Sequence, residues 1–264
     1  MAEIPPLPRQ AFGLSAAQRT HHSAAFLAGA DQYDKVRPRY PEAAVDFAVE
    51  GCLTGPAADI GCGSGIFTAQ LVARRLQVTA VDPSQDMLDV LAQRCPDIAL
   101  VRAGGESTRL PERSFELISY AQAWHWVDAP AASAEAARLL VPGGRLVLLW
   151  NQLDVQVPWV HRLARIMHAG DVHRPELAPT LGAEFTGLEQ GLWHWKWTLT
   201  LGDVVELTKS RSYYRRATEN TRKKVETNLH WYWCEHLGHD LDEPVAVPHL
   251  SHAWRAWRRE IPGC

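Results

Sequence analysis

From Pro56 onward the chain alternates short apolar runs with segments of helical spacing. PAADIG, LQVTAVD, DIALVRAG, FELISYA and RLVLLW are runs of strand length, each bounded by Gly, Asp, Pro or a polar turn. FTAQLVARRL and SQDMLDVLAQR lie between them and repeat apolar residues about once per helical turn, with Ser84 placed to cap the second. Strand and helix in strict alternation predict βαβ units and a parallel sheet. Pro142-Gly143-Gly144 predicts a turn just before RLVLLW. Beyond Asn151 the pattern changes. A helix is expected around Trp159 to His168, and another where Val225, Leu229, Trp233 and Leu237 recur at helical spacing. In WHWKWTLTL, Trp193, Trp195, Trp197, Leu199 and Leu201 share one face and His194, Lys196, Thr198 and Thr200 the other, as in an antiparallel edge strand with one wet side.

The expected organisation is an N-terminal arm at 1–30, rich in Pro, Ala and small polar residues, a core at 31–152, and C-terminal strands and helices at 153–264 that complete the sheet. With 264 residues, 46% hydrophobic and 22% charged, the chain has ordinary globular proportions. A net charge of −3 excludes a uniformly basic nucleic-acid binder. Five cysteines without CxxC spacing fit a reducing compartment, and the absence of a signal-like or membrane-length apolar stretch predicts a cytoplasmic protein. The eleven tryptophans are the unusual number, and all of them follow residue 123.

The candidate chemistry begins in Asp59-Ile60-Gly61-Cys62-Gly63-Ser64-Gly65, at the junction of the first strand and helix. Gly61, Gly63 and Gly65 allow a tight turn and a ligand close to the backbone. Asp82 closes the second strand, where doubly wound folds place a carboxylate for ribose hydroxyls. A nicotinamide or flavin fingerprint wants a third glycine where Ile66 stands, and GxxxxGK[ST] is missing. An acid before the loop with no following Lys or Arg suits a cation better than a diphosphate. S-adenosylmethionine meets these constraints, having an adenosine, an ammonium and a sulfonium but no phosphate. A tight turn without any ligand is the competing reading.

YDKVRPRYP (33–41), ADIGCGSG (58–65), VDPSQDML (81–88), AGGESTRLP (103–111), YAQAWHWVD (120–128) and LVPGGRLVLLWN (140–151) occur in this order. In these segments the sequence resembles the class I S-adenosylmethionine-dependent methyltransferases, and within them the type 11 group with trans-aconitate methyltransferase-like members. The resemblance implies a Rossmann-like, doubly wound, mostly parallel seven-stranded sheet with an antiparallel C-terminal strand. It implies that Asp59 and the loop glycines hold the methionine part of the cofactor and that Asp82 holds the ribose. Pro83 and Met87 would flank the adenine, while Gly105 and Glu106 would meet its edge. Ala121 and Gln122 would face the methyl-bearing end, and Tyr33 and Arg37 would close over the site. Met87 could equally be helix core, and Arg37 a solvated charge.

Methyl transfer from a sulfonium needs a base only when the acceptor must lose a proton. His125, just past the fourth strand, is the candidate, against a reading in which it merely packs between Trp124 and Trp126. Lys209, Arg211, Arg215, Arg216, Arg222, Lys223 and Lys224, with only Glu219 opposing, form either an anion-binding rim or a solvated helix face. His230, Cys234 and His236 match no common zinc spacing, so no metal is expected. The expected function is methylation of a small molecule, carboxylates included. An RNA methyltransferase and a non-catalytic cofactor-binding regulator are the alternatives.

Overall fold

A computed structural model of the chain describes residues 37–51, 55–169 and 174–259. The expected arm at 1–30 and Tyr33 lie outside the described residues. In chain order the elements begin with helix α1 (Glu42–Val49), strand β1 (Pro56–Ile60), α2 (Ile66–Ala73), β2 (Gln77–Asp82), α3 (Gln85–Arg94), β3 (Ala99–Arg102) and β4 (Phe115–Ala121). There follow a 3₁₀ turn (Trp124–Trp126), α4 (Ala129–Leu139), β5 (Leu140–Leu153), α5 (Pro158–Ile166) and β6 (Phe185–Leu199). The chain continues through α6 (Leu201–Lys209), α7 (Ser212–Arg216), α8 (Glu219–His230), a π-helical stretch (Trp231–His236) and β7 (Val245–Arg258).

The seven strands form one sheet in the order β3-β2-β1-β4-β5-β7-β6. β3, β2, β1, β4 and β5 run parallel, and β7 is antiparallel to both β5 and β6. The doubly wound architecture expected from the alternating runs is therefore present, with WHWKWTL in the antiparallel edge strand. Successive residues of the central strands face opposite sides of the sheet. Ala58, Ile60, Ile118, Tyr120, Leu146 and Leu148 pack with α4, whereas Ala57, Leu117, Val147 and Leu149 pack with α1 and α2. A further core joins the ends of β5, β6 and β7 to α5, α6, α8 and the π-helical stretch, with Tyr232 and Trp233 fully buried in it.

Local sequence explains several boundaries. Ser84 caps α3 by accepting from the Met87 N–H, and Asp128 caps α4 by accepting from Ala131. Thr200 and Asp203 form a reciprocal capping box at the start of α6. That cap corrects the expectation for the edge strand: β6 stops at Leu199, and Leu201 opens a helix instead of extending the strand's apolar face. The Pro-Gly-Gly segment is absorbed as an irregularity inside β5, where Phe115 pairs with Leu140 but Leu117 with Arg145.

Candidate active site

The sheet order reverses between β1 and β4, and open α/β sheets bind ligands in the crevice at the carboxyl ends of such strands. A cleft lies there. Its lining combines Gly61, Cys62, Gly63 and Ser64 after β1, Ala121 and Gln122 at the end of β4, and Asn151, Gln152 and Leu153 at the end of β5. Arg37, Pro38 and Tyr40 bound it from the segment before α1, and Leu207, Arg211 and His249 from the C-terminal part. The space between these residues, about 790 Å³ with its open side counted, is continuous with solvent.

The loop is stapled to β2. Gly61 and Cys62 donate to Val81 O at 2.8 and 3.1 Å, and Gly63 N–H donates to Asp82 Oδ2 at 2.9 Å. Asp82 Oδ1 accepts from Ser84 N–H at 2.8 Å, so the carboxylate joins the loop to the start of α3. Burial raises its pKa, while the two backbone donors pull it back down. Gly61, Gly63 and Gly65 all have positive φ, at 69°, 53° and 82°. Their surroundings differ. A Cβ on Gly61 would collide with Ala123 and one on Gly65 with Leu91 of α3, but one on Gly63 would meet nothing within 4 Å. Gly63 is thus the glycine whose bare backbone faces open space.

Asp59 is fully buried behind this loop. Oδ2 accepts from Thr68 Oγ1 at 2.6 Å and Oδ1 from Ser119 Oγ at 2.7 Å. Burial pushes its pKa up to about 6 against the opposing pull of both hydroxyls. Both oxygens are engaged by the protein, so Asp59 can act on a cation in the cleft through its charge and by anchoring the loop.

Other expected positions separate into those at the cleft and those beside it. Ala121, Gln122 and Arg37 line the cleft. Gln122 has φ of 57°, donates from its backbone to Leu149 O and from its side chain to Asn151 O. Met87 is buried in α3 and Pro83 is exposed at its start. Gly105 is buried, its carbonyl accepting from Tyr120 O–H at 3.0 Å, and Glu106 accepts from Asp128 N–H at 3.0 Å. The structure does not bring His125 to the cleft lining: it sits half-buried on the 3₁₀ turn with its ring 4.7 Å from that of Trp126.

Residues that the sequence did not single out complete the site. Trp195 donates to Ser251 Oγ at 2.8 Å, and Ser251 in turn donates to Asn151 Oδ1. Asn151 Nδ2 donates to Arg39 O at 3.1 Å, tying β6, β7 and β5 to the segment before α1. Gln70 of α2 grips that segment too, accepting from Tyr40 N–H at 3.0 Å and donating to Tyr40 O at 2.7 Å. Of the basic run, Lys209 pairs with Glu206, Lys223 pairs with Glu219, and Arg222 donates to the carbonyls of Tyr214 and Arg215. Arg211 is the member that lines the cleft.

The cleft thus combines a switch point, a glycine loop without basic residues and a strand-end carboxylate bonded to that loop. The match to a methyltransferase domain family covers residues 58–148, from the end of β1 to β5. A methyltransferase of Mycobacterium tuberculosis, named as uncharacterised, is 34% identical over 244 residues, spanning 90% of this chain and 97% of that protein. The chain belongs to this family of S-adenosylmethionine-dependent methyltransferases. The fold is shared with the YcgJ protein of Bacillus subtilis (TM-score 0.51, 18% identity, 84% of this chain and 100% of that chain). It is also shared with phosphoethanolamine N-methyltransferase 2 of Haemonchus contortus, solved with phosphomonomethylethanolamine and S-adenosylhomocysteine (TM-score 0.52, 15% identity, 94% of this chain and 61% of that chain).

Proposed function

We propose that the chain methylates a small anionic molecule seated between the glycine loop and the C-terminal helices. The observation that carries this reading is the sharing of one cleft by two kinds of surface. On one side are the Gly61–Ser64 backbone and the Asp82 that grips Gly63, and on the other are Arg37 and Arg211. The residues present fit the cofactor: the open face of Gly63 admits a ligand against the backbone, and Asp59 and Asp82 make the surroundings favourable to a cation. Bound there, S-adenosylmethionine supplies a methyl group on an activated sulfonium. Asp82 would orient the ribose, Ala121 and Gln122 would border the reacting end, and Pro83, Met87, Gly105 and Glu106 would border the adenine.

The arginines suit a carboxylate or another oxyanion, since a guanidinium binds such groups through paired N–H donors. The trans-aconitate methyltransferase-like reading belongs to this proposal for the same reason. RNA methylation is less well supported, because Lys209, Lys223 and Arg222 of the basic run are committed to protein acceptors.

Two measurements test the proposal. Calorimetry with S-adenosylhomocysteine should show binding that weakens at least about tenfold in Asp82→Ala, the loss expected for a charge-assisted hydrogen bond. Release of S-adenosylhomocysteine across a panel of acids, phenols and amines should be confined to anionic acceptors, with Arg211→Gln raising KM. Unchanged cofactor affinity in Asp82→Ala, or preference for neutral acceptors, would overturn it.

A further inference from the structure

His249 is a cleft-lining group for which neither the cofactor nor the anion grip has a use. Its side chain is only 2% exposed, yet it borders the cleft together with Arg211 and Leu207. Nδ1 lies 2.9 Å from Val247 O. A carbonyl only accepts, so Nδ1 carries the ring proton and Nε2 holds the lone pair of the neutral imidazole. The rings of Trp195 and Trp197 stand 5.0 and 5.7 Å away and fix the imidazole plane. With Nδ1 tied to the backbone of its own strand, Nε2 is the ring nitrogen that this bond leaves over.

Resting on the methyl-transfer reading above, we propose that His249 Nε2 takes the proton from the group being methylated, while Arg211 holds an anionic part of the same molecule. The acceptor class follows from the pair: an anionic small molecule whose nucleophile is an O–H or N–H group. In the step, a lone pair of the acceptor O or N bonds to the methyl carbon, and the C–S electrons stay on sulfur as the neutral thioether. The acceptor's proton passes to Nε2, giving an imidazolium that returns it to solvent through the open side of the cleft. An already ionised carboxylate would serve as the handle on Arg211 and needs no base of its own.

The surroundings make this base depend on the acceptor. Burial drives the His249 pKa down to about 4, the Arg211 charge pushes the same way, and Asp154 opposes them. Asp154 in turn meets His194 Nδ1 at 3.0 Å, and Arg37 lines the same cleft. An anion on Arg211 cancels its push on the imidazole, so Nε2 becomes more basic when the acceptor is seated.

The test is a ¹⁵N side-chain NMR titration of the full chain, with inorganic sulfate as the anion probe and S-adenosylhomocysteine binding measured on the same sample. His249 should show the Nδ1–H tautomer and a midpoint well below 6.5. Sulfate should raise that midpoint, and not in Arg211→Gln. An Nε2–H tautomer, an ordinary midpoint, or an equal sulfate response in Arg211→Gln would overturn the inference while leaving the cofactor reading intact. Failure to bind S-adenosylhomocysteine would overturn both. On an acceptor found by the panel, log kcat/KM should rise with pH through the His249 midpoint, and His249→Gln should abolish that limb while keeping cofactor affinity. Retention of the limb in His249→Gln would remove the base role.

Discussion

Gly63 and Gly65 stand two residues apart at positive φ, yet an added methyl group meets empty space at the first and the Leu91 side chain at the second. Gly65→Ala should therefore lose about 2–4 kcal/mol, the left-handed strain adding to overpacking against α3, read as a fall in the urea midpoint. Gly63→Ala carries only the strain, about 1 kcal/mol, but should weaken S-adenosylhomocysteine binding in calorimetry because the methyl group occupies the ligand's approach. Asp59 gives a pH prediction of opposite sense to the usual carboxylate. Its pKa rises from an unfolded value near 3.9 to about 6, so folding takes up a proton in that interval. Its contribution is most favourable below about pH 4 and declines, by about 3 kcal/mol in all, as pH rises through about 6. Asp59→Asn should remove this decline, so the variant's urea midpoint should gain on that of wild type as pH rises from about 4 to 7. Asp59, Asp82 and Gly63 could be read in the sequence because local spacing places them at strand ends, and Gln122 followed from the family resemblance. Thr68, Ser119, Asn151 and His249 could not, because folding alone makes them neighbours of those groups.

At the scale of elements, the parallel strands were legible because their apolar runs are short and sharply bounded. β7 was not. Its sequence VAVPHLSHAWRAWR is buried or half-buried at every position except Ala246, so it lacks a clean alternation, and Pro248 interrupts it. The proline is tolerated because β5 register pairing ends at Leu153 opposite His249, and just beyond it Pro248 only accepts, its carbonyl taking the Asp154 N–H at 3.0 Å, a bond that needs no N–H of its own. The first half of β6 was hidden by Gly187 and Gly191, which resemble breakers. Gly187, at φ 67°, sits in the register shift between Thr186 and Glu189. The spacing of Val225 to Leu237 predicted one helix, and the structure changes to π-helical geometry at Trp231 without losing the burial of Trp233. The capping box that ends β6 has a measurable worth: Thr200→Ala should cost about 1 kcal/mol by urea unfolding, since it orphans the Asp203 N–H.

For the whole molecule, charge and aromatic content divide along the chain as the site divides across the cleft. The half before Trp124 supplies the glycine loop, Asp82 and Arg37, and the later half supplies Arg211, His249 and the tryptophans Trp195 and Trp197 beside His249. Among the described residues no helix is long and apolar enough to cross a membrane. Cofactor binding should couple to global stability by mass action, so S-adenosylhomocysteine at 100 times its Kd should add about 2.7 kcal/mol to unfolding, a gain that shrinks in Asp82→Ala at the same concentration. Gln70 extends this cooperativity to a part of the chain that has no regular structure. Its side-chain amide reproduces both hydrogen bonds of a strand partner on Tyr40, within a buried setting. In a deuterium-exchange experiment the Tyr40 amide should therefore be protected to the same degree as the amides of α2, opening only when that helix unfolds. The cleft wall formed by residues 37–40 would then share the lifetime of the core, and not that of a surface loop.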